Sequence, residues 1–212
     1  MAEQTLVTAA IGQARAPPDK VRLQISAKAE DPDVGEARRK VARQATHLRE
    51  TLVAKGVSKD RIRTIRFHVG ERPPYQPREE ATDDQPYWAE EVIEVAVHDI
   101  DHLDDVLTSA VEGVGVEVND VTFTFRTETQ RELERKALED AVRTARKKAQ
   151  AAAATEQLVV ERVRSIVTDD TSRPQPVSMD LRTARGQESG SVESGPIEIY
   201  ARVEVEYEIG PA

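Results

Sequence analysis

The segment 197–209 constrains the fold of this chain more than any other. Apolar and polar side chains alternate in it without a break over 13 positions. Because successive side chains of a β-strand point to opposite faces, this alternation predicts a strand with one buried and one solvated face. At about 3.3 Å per residue, the strand would extend over roughly 43 Å. A long strand that is solvated on one side is typical of an antiparallel sheet whose other side is covered by helices.

The charge balance limits the classes of partner. The chain has 212 residues and a formal net charge of −9, with 39 acidic and 30 basic residues. This balance disfavours a bulk affinity for nucleic acids or anionic membranes. Cysteine is absent, which excludes disulfides, thiolate nucleophiles and zinc–thiolate sites. We therefore expect no nucleic-acid partner and no membrane partner.

The basic residues are skewed towards arginine, which accounts for 22 of the 30. An acidic chain with little lysine is typical of proteins from salt-loving organisms, in which carboxylates keep the surface hydrated. A GC-rich genome, which favours Arg and Ala, is the alternative explanation. The N-terminal segment has no basic stretch followed by an apolar one, and no stretch approaches the ~18 apolar residues of a membrane span. We expect a cytoplasmic protein.

Periodicity, capping and turn signals divide the chain into seven strands and three helices. Asp33 and Glu36 have the spacing of a capping box, and Gly56 fits a left-handed helix C-terminus. The turn at Pro17-Pro18 is expected to join the first two strands in a hairpin. The expected strands are 6–13, 21–27, 62–69, 87–97, 116–125, 158–167 and 197–209; the expected helices follow Asp33, follow Asp99 and span 128–155.

This order of elements predicts an α+β fold, with a long antiparallel sheet and about three helices packed on one face. The units 33–69 and 99–126 resemble each other as a loose internal repeat of the βαβ type. We expect a single domain over 1–212; two lobes, about 1–97 and 98–212, that share one sheet are the alternative. The segments 70–86 and 169–195 are rich in turn-forming residues, and loops of that length usually carry function or are disordered.

Several short segments in a fixed order resemble the SIMPL-domain family. The segments are Gly12; Pro18-Asp19; the run from Lys55 to Ile62 that continues to Val69; Pro74-Tyr75; the strand from Tyr87 to Val95 followed by Asp99 and Leu103; and Gly195-Pro196 before the closing strand. No single segment is specific, but their order and spacing cover almost the whole chain. The family includes bacterial oxidative-stress-defence proteins and periplasmic or surface antigens. The resemblance implies an α+β fold, homo-oligomers in some members and no established catalytic residues.

Two histidines are weak candidates for a metal site. His98 and His102 are four residues apart and flank Asp99. Two histidines at this spacing can bind a metal when both lie on one helix. Here His98 is expected at a strand end and Asp99 at a helix cap, so a solvated helix start is the preferred interpretation. The sequence has no nucleophile elbow and no phosphate-binding glycine loop, and we expect no catalytic residues and no cofactor.

The few aromatic residues cluster around the first predicted loop. Tyr75, Tyr87 and Trp88 are candidate interaction residues because aromatic side chains are enriched among interface anchors. The alternative is that they only hold the loop against the sheet. Combined with the family resemblance, these observations predict a non-enzymatic protein that acts by self-assembly as a homo-oligomer or by contact with another protein. A role in stress tolerance comes from the resemblance alone. The alternative is an enzyme that binds a small ligand or metal near 169–195.

Overall fold

The computed structural model describes residues 4–71, 87–169 and 195–212. The regular elements are β1 (Thr5–Ala16), β2 (Lys20–Asp31), α1 (Val34–Ala54), β3 (Ile62–Glu71), β4 (Tyr87–Val97), α2 (Leu103–Thr108), β5 (Glu117–Thr124), α3 (Thr127–Thr155), β6 (Leu158–Asp169) and β7 (Ile197–Pro211). Short 3₁₀ turns precede β3 and α2, and a π-helical turn, Ser109–Val114, follows α2. The α+β class expected from the sequence is confirmed.

The strands lie in two sheets, one in each of two compact units. The first unit, which in the described chain comprises 4–18, 124–169 and 195–212, contains three antiparallel strands in the order β1-β7-β6. β7 has the alternation that the sequence predicts: Ile199, Val203, Val205 and Tyr207 are buried, and Arg202 between them is exposed.

Helix α3 covers the inner face of this sheet and packs against β1 and β7 very closely. Its contact face is made of alanines, and the buried ones are Ala137, Ala141, Ala145, Ala149 and Ala153. Opposite them on β1 lies Gly12. A Cβ atom on Gly12 would be 2.8 Å from the Cα atom of Ala141 and closer still to Ala141 N and Ala137 O. Only a residue without a side chain fits where the backbones of strand and helix approach so closely.

The second unit, residues 19–71 and 87–123 of the described chain, contains four strands in the order β3-β4-β2-β5. The segments β2-α1-β3 and β4-α2-β5 form its two halves, and each half inserts one strand between the two strands of the other. This arrangement corresponds to the internal βαβ-type repeat inferred from the sequence. The buried residues of α1, which include Val41, Leu48 and Leu52, pack on the inner faces of β2 and β4.

The ends of α1 show the Asp33 cap and the glycine turn that the sequence predicts, but only half of the capping box, because the backbone N–H of Asp33 donates to Asp31 and not to Glu36. The Asp33 carboxylate accepts a hydrogen bond of 2.9 Å from the backbone N–H of Glu36, which satisfies one of the free donors of the first turn. Gly56 follows the helix with a φ of +86°, a left-handed conformation that favours glycine.

The hairpin, the single sheet and the Asp99 cap expected from the sequence differ from the structure. β1 and β2 do not form a hairpin: β1 pairs with β7 and β2 with β4, so the single sheet becomes two. Hairpin turns favour residues with positive φ, and the proline ring at Pro17 and Pro18 prevents this. Asp99 does not cap the following helix with its side chain. The predicted loops 70–86 and 169–195 lie almost entirely outside the described residues, and a single domain over 1–212 stays a prediction.

Candidate protein-interaction site

Strand β6 forms one edge of the three-stranded sheet and exposes apolar side chains. It lies beside β7 on one side, and no strand of the described chain pairs with its other side. Val159, Val163, Ile166 and Val167 are all exposed, and Val167 is 60% accessible. A long edge strand with exposed apolar residues is a template for pairing with another chain. We call these four residues and their backbone the β6 edge.

The β6 edge is regular over only part of its length. Its register with β7 shifts at Glu161 and again at Arg164. Bulges of this kind twist an edge strand and hinder its pairing with strands of other molecules. After the second shift, Ser165–Asp169 pairs with β7 without interruption, from Glu206 back to Arg202. Ile166 and Val167 lie within this regular stretch, which is therefore the part best suited to accept another strand.

The outer face of the same sheet mixes apolar and acidic residues. Val7, Ile11 and Tyr200 are exposed on it. Glu208 accepts two hydrogen bonds from Arg162, at 2.6 and 2.9 Å, and this interaction lowers the pKa of the Glu208 carboxyl. The hydroxyl of Tyr200 donates to Glu198, which raises the pKa of Tyr200. The polar face of β7 is exposed from Tyr200 to Glu204 and partly buried at Glu198, Glu206 and Glu208, and some of its charges are paired.

Two glutamates of the second unit, Glu90 and Glu91, are buried, and neither was predicted from the sequence as a functional residue. Glu91 accepts hydrogen bonds from Thr64 at 2.7 Å and from Arg49. Glu90 accepts one from Ser26 at 3.1 Å and lies 3.3 Å from Arg66. Buried carboxylates are stable when they are paired and hydrogen-bonded in this way. Their partners come from strands and a helix far apart in sequence, and no local motif signals them.

Two of the three aromatic candidates, Tyr87 and Trp88, lie within the described residues. Tyr75 lies outside the described residues, and Tyr87 begins β4. The indole N–H of Trp88 donates to the carbonyl of Glu71 at 3.1 Å, and its ring packs on His68 with centroids 4.8 Å apart. These contacts attach Trp88 to the neighbouring strand. An interaction role for Tyr75, Tyr87 and Trp88 stays a prediction.

Of the two histidine candidates, His102 has a defined partner in the structure. Nδ1 of His102 lies 3.0 Å from the Asp99 carboxylate, and His98 directly follows β4. Among residues 4–71, 87–169 and 195–212, no group of three or more His, Asp or Glu side chains is arranged to hold a metal ion. The hydrogen bond to Asp99 raises the pKa of His102.

This contact gives His102 an expected pH dependence. Asp99 favours the protonated imidazole of His102 in the folded protein. Any contribution of this pair to the stability of the fold is therefore fully present below the pKa that His102 has in the unfolded chain, and it is lost as the pH rises through the pKa of His102 in the folded protein. We expect the His102 imidazole to titrate above the ordinary pKa of a histidine, as followed by NMR chemical shifts. In Asp99→Asn the pKa of His102 should fall. An unchanged pKa of His102 in that variant would contradict the assigned contact.

The fold and these surfaces describe an α+β protein with two antiparallel sheets and exposed edge strands. Residues 6–207 match the model of one protein family, SIMPL, described as a protein of unknown function (DUF541). The chain therefore belongs to the SIMPL family, which confirms the resemblance read from its segments. No curated protein matches the chain. No helix of the described segments is long and apolar enough to cross a membrane.

Proposed function

We propose that this SIMPL-domain protein acts without enzymatic chemistry, by self-association through the β6 edge. The observation that carries the proposal is the row of exposed apolar residues on an edge strand of 12 residues. Monomeric proteins usually protect such an edge with charges, proline or a covering segment. β6 has two bulges and two arginines near its middle, but its last five residues are regular and include Ile166 and Val167.

Pairing of two copies at the β6 edge gives a symmetric contact and provides partners for the backbone hydrogen-bonding groups of both strands. If the β6 strands of two copies align antiparallel about a two-fold axis, the strand order becomes β1-β7-β6-β6-β7-β1. The contact is isologous, so the same residues are used on both copies and the assembly closes as a dimer. It pairs backbone groups of Ser165–Asp169 and removes Ile166 and Val167 from water. Larger assemblies would require a second contact.

Salt should strengthen this association. Each copy has a formal net charge of −9, and the exposed face of β7, next to the β6 edge, includes Glu204 and Glu206. Repulsion between two such copies is long-ranged at low ionic strength and is screened within about 3 Å at 1 M salt. This fits the acidic, arginine-rich composition, which we attribute to adaptation to a saline cytoplasm. We extend the proposal to a role in stress tolerance, for which the family resemblance is the support.

Val167→Lys is expected to shift the protein to a monomer. In the two-fold pairing of Ser165–Asp169, residue 167 of one copy lies opposite residue 167 of the other. Two lysines would face each other there, and like charges directly opposite each other destabilise paired strands. Sedimentation velocity of wild type and variant at equal concentration measures the change, and we expect the self-association constant to fall at least tenfold.

Ile11→Lys is the matched control, because Ile11 is 62% accessible and lies on β1 at the other side of the sheet. We expect it to associate like the wild type. If Ile11→Lys dissociates the protein and Val167→Lys does not, association uses the outer face of the sheet and the β6 proposal is wrong. Circular dichroism would verify that both variants are folded.

A further inference from the structure

The second unit also has an edge strand that, among residues 4–71, 87–169 and 195–212, pairs on one side only, and helix α1 does not cover it. β3 is the outermost strand in the order β3-β4-β2-β5. On the neighbouring strands, the residues beneath α1 are fully buried, as at Ile25 and Ile93. On β3, six consecutive residues, 63–68, are exposed, and Phe67 is 49% accessible. Helix α1 therefore lies over β2 and β4, and the sheet extends beyond it by one strand.

A cleft of about 510 Å³ lies between α1 and the start of β3. Its helical wall consists of residues at successive turns of one face of α1: Thr46, Arg49, Glu50, Val53 and Ala54. Lys59 and Ile62 form the opposite side. This volume lies within the range of pockets that hold several side chains or a small ligand. Val53, Ala54 and Ile62 give the cleft an apolar part.

The wall of the cleft is held in place by hydrogen bonds. The guanidinium of Arg49 donates to Thr64 Oγ1 at 2.8 Å and also to Glu91. These bonds connect α1 to β3 and β4 at the level of the cleft, so the distance between helix and edge strand is fixed. A site of fixed width loses less conformational freedom when it binds a partner.

Charge along β3 indicates the chemistry of the partner. Segment 59–68 contains four cations, Lys59, Arg61, Arg63 and Arg66, and one carboxylate, Asp60, for a net formal charge of +3 in a chain of net charge −9. Arg63 and Arg66 lie on the face of β3 that is opposite to α1, and they contact Glu94 at 2.7 Å and Glu90 at 3.3 Å. Both glutamates also contact cations of β2, Arg22 and Lys28. Arg63 and Arg66 are the closer partners of these two glutamates, and both arginine side chains nevertheless remain largely exposed.

We propose that β3 and α1 form a binding site for an extended segment of a partner protein in which acidic and apolar residues alternate. The segment adds to the sheet as a strand beside β3, along the edge that no strand of the described residues occupies. The added strand follows the register shift of β3 at Ile65, which places Arg63 and Arg66 on the same face. Every second side chain then points towards α1, where Val53, Ala54 and Ile62 accept apolar groups. The side chains between them lie across from Arg63 and Arg66, where carboxylates are favoured as cross-strand neighbours.

A second copy of this chain does not fit this site with its own described acidic strand. β7 alternates acidic and apolar residues, but it is the middle strand of its sheet and both of its edges are paired. This excludes β7 as the occupant, and the proposal assigns the site to a different protein. The site on β3 and α1 is independent of the β6 edge, which belongs to the other unit and is proposed to bind the β6 edge of a second copy.

A labelled nine-residue peptide of alternating glutamate and valine is the first probe, and the same peptide with lysine in place of glutamate is its control. Fluorescence anisotropy at low salt measures both affinities. We expect the acidic peptide to bind at least tenfold more tightly than the basic one. Its affinity should fall as salt rises, the opposite of the salt effect on self-association. Equal binding of the two peptides, or no binding of the acidic one at millimolar concentration, would overturn the proposal.

Two variants locate the binding. Ala54→Phe fills the cleft from an exposed position of α1, and Arg63→Glu reverses charge at a side chain that is 71% accessible. We expect each variant to lower the affinity for the acidic peptide at least tenfold. Arg143→Glu on α3, at a side chain 63% accessible, is the charge-matched control and should bind like the wild type. Unchanged affinity in both Ala54→Phe and Arg63→Glu would contradict the site.

The same variants separate this site from self-association. Val167→Lys should bind the acidic peptide like the wild type, even if it is a monomer. In sedimentation, Ala54→Phe should associate as the wild type does. If Ala54→Phe instead lowers the mass of the assembly, the cleft is occupied by a second copy and the assignment to a different protein is wrong.

Discussion

Gly12→Ala is expected to lower the free energy of unfolding by about 3 kcal/mol, in the upper range of what overpacking costs. The added methyl group would meet backbone atoms of α3 at Ala137 and Ala141, which cannot rotate away as a side chain can. Helix α3 must move off β1, and the shift would loosen the alanine face that seals the inner side of the sheet. A larger residue, as in Gly12→Val, should prevent the first unit from packing at all.

Urea denaturation, followed by circular dichroism, measures the effect of Gly12→Ala. Gly113→Ala is the control. A methyl group added at Gly113 would meet no atom within 4 Å, and Gly113 does not have a positive φ. We expect the control to change the free energy of unfolding by less than about 1 kcal/mol, since it acts mainly on the unfolded chain. Equal effects of the two substitutions would show that the close approach of β1 and α3 is misplaced.

Leu48→Ala is expected to lower the free energy of unfolding by about 2–5 kcal/mol, the usual range for truncation of a fully buried leucine. Leu48 has no solvent-accessible surface and lies in the middle of α1 among residues of the core beneath it. Truncation leaves a cavity that a helix held at both ends can close only in part. The second unit should therefore unfold at a lower urea concentration or temperature.

Val34→Ala on the same helix separates this cavity from a change in helix propensity. Val34 is exposed at the first turn of α1, so its truncation should change the free energy of unfolding by less than about 0.5 kcal/mol. Thermal unfolding of both variants gives the comparison. A loss for Leu48→Ala as small as that for Val34→Ala would contradict the packing of α1 on β2 and β4.

Elements that depend on local signals could be predicted from the sequence. The alternation of 197–209 located β7, and the side chain of Asp33 marked the start of α1. Pairing partners could not be predicted, because alternation shows that a strand has a buried face but not which strand lies beside it. β1 pairs with β7, nearly the whole chain away, and the sequence favoured the neighbour β2.

The interaction surfaces were harder to predict than the elements. A valine in β6 looks the same in sequence whether the strand is central or at an edge, so the exposure of Val167 required the strand order. The cluster of Arg49, Thr64 and Glu91 joins three elements, and Arg49 and Glu91 are 42 residues apart. The acidic face of β7 lies beside the β6 edge, and this position leads to the salt dependence proposed above.

Light scattering of the wild-type protein across concentration and salt tests the central claim most directly. The chain has a mass of 23.5 kDa. If the β6 edge mediates self-association, the measured mass should exceed that of the single chain, rise with protein concentration and rise further between low salt and about 1 M salt, where charge repulsion is screened. A mass of one chain at every concentration and every salt would contradict the proposal.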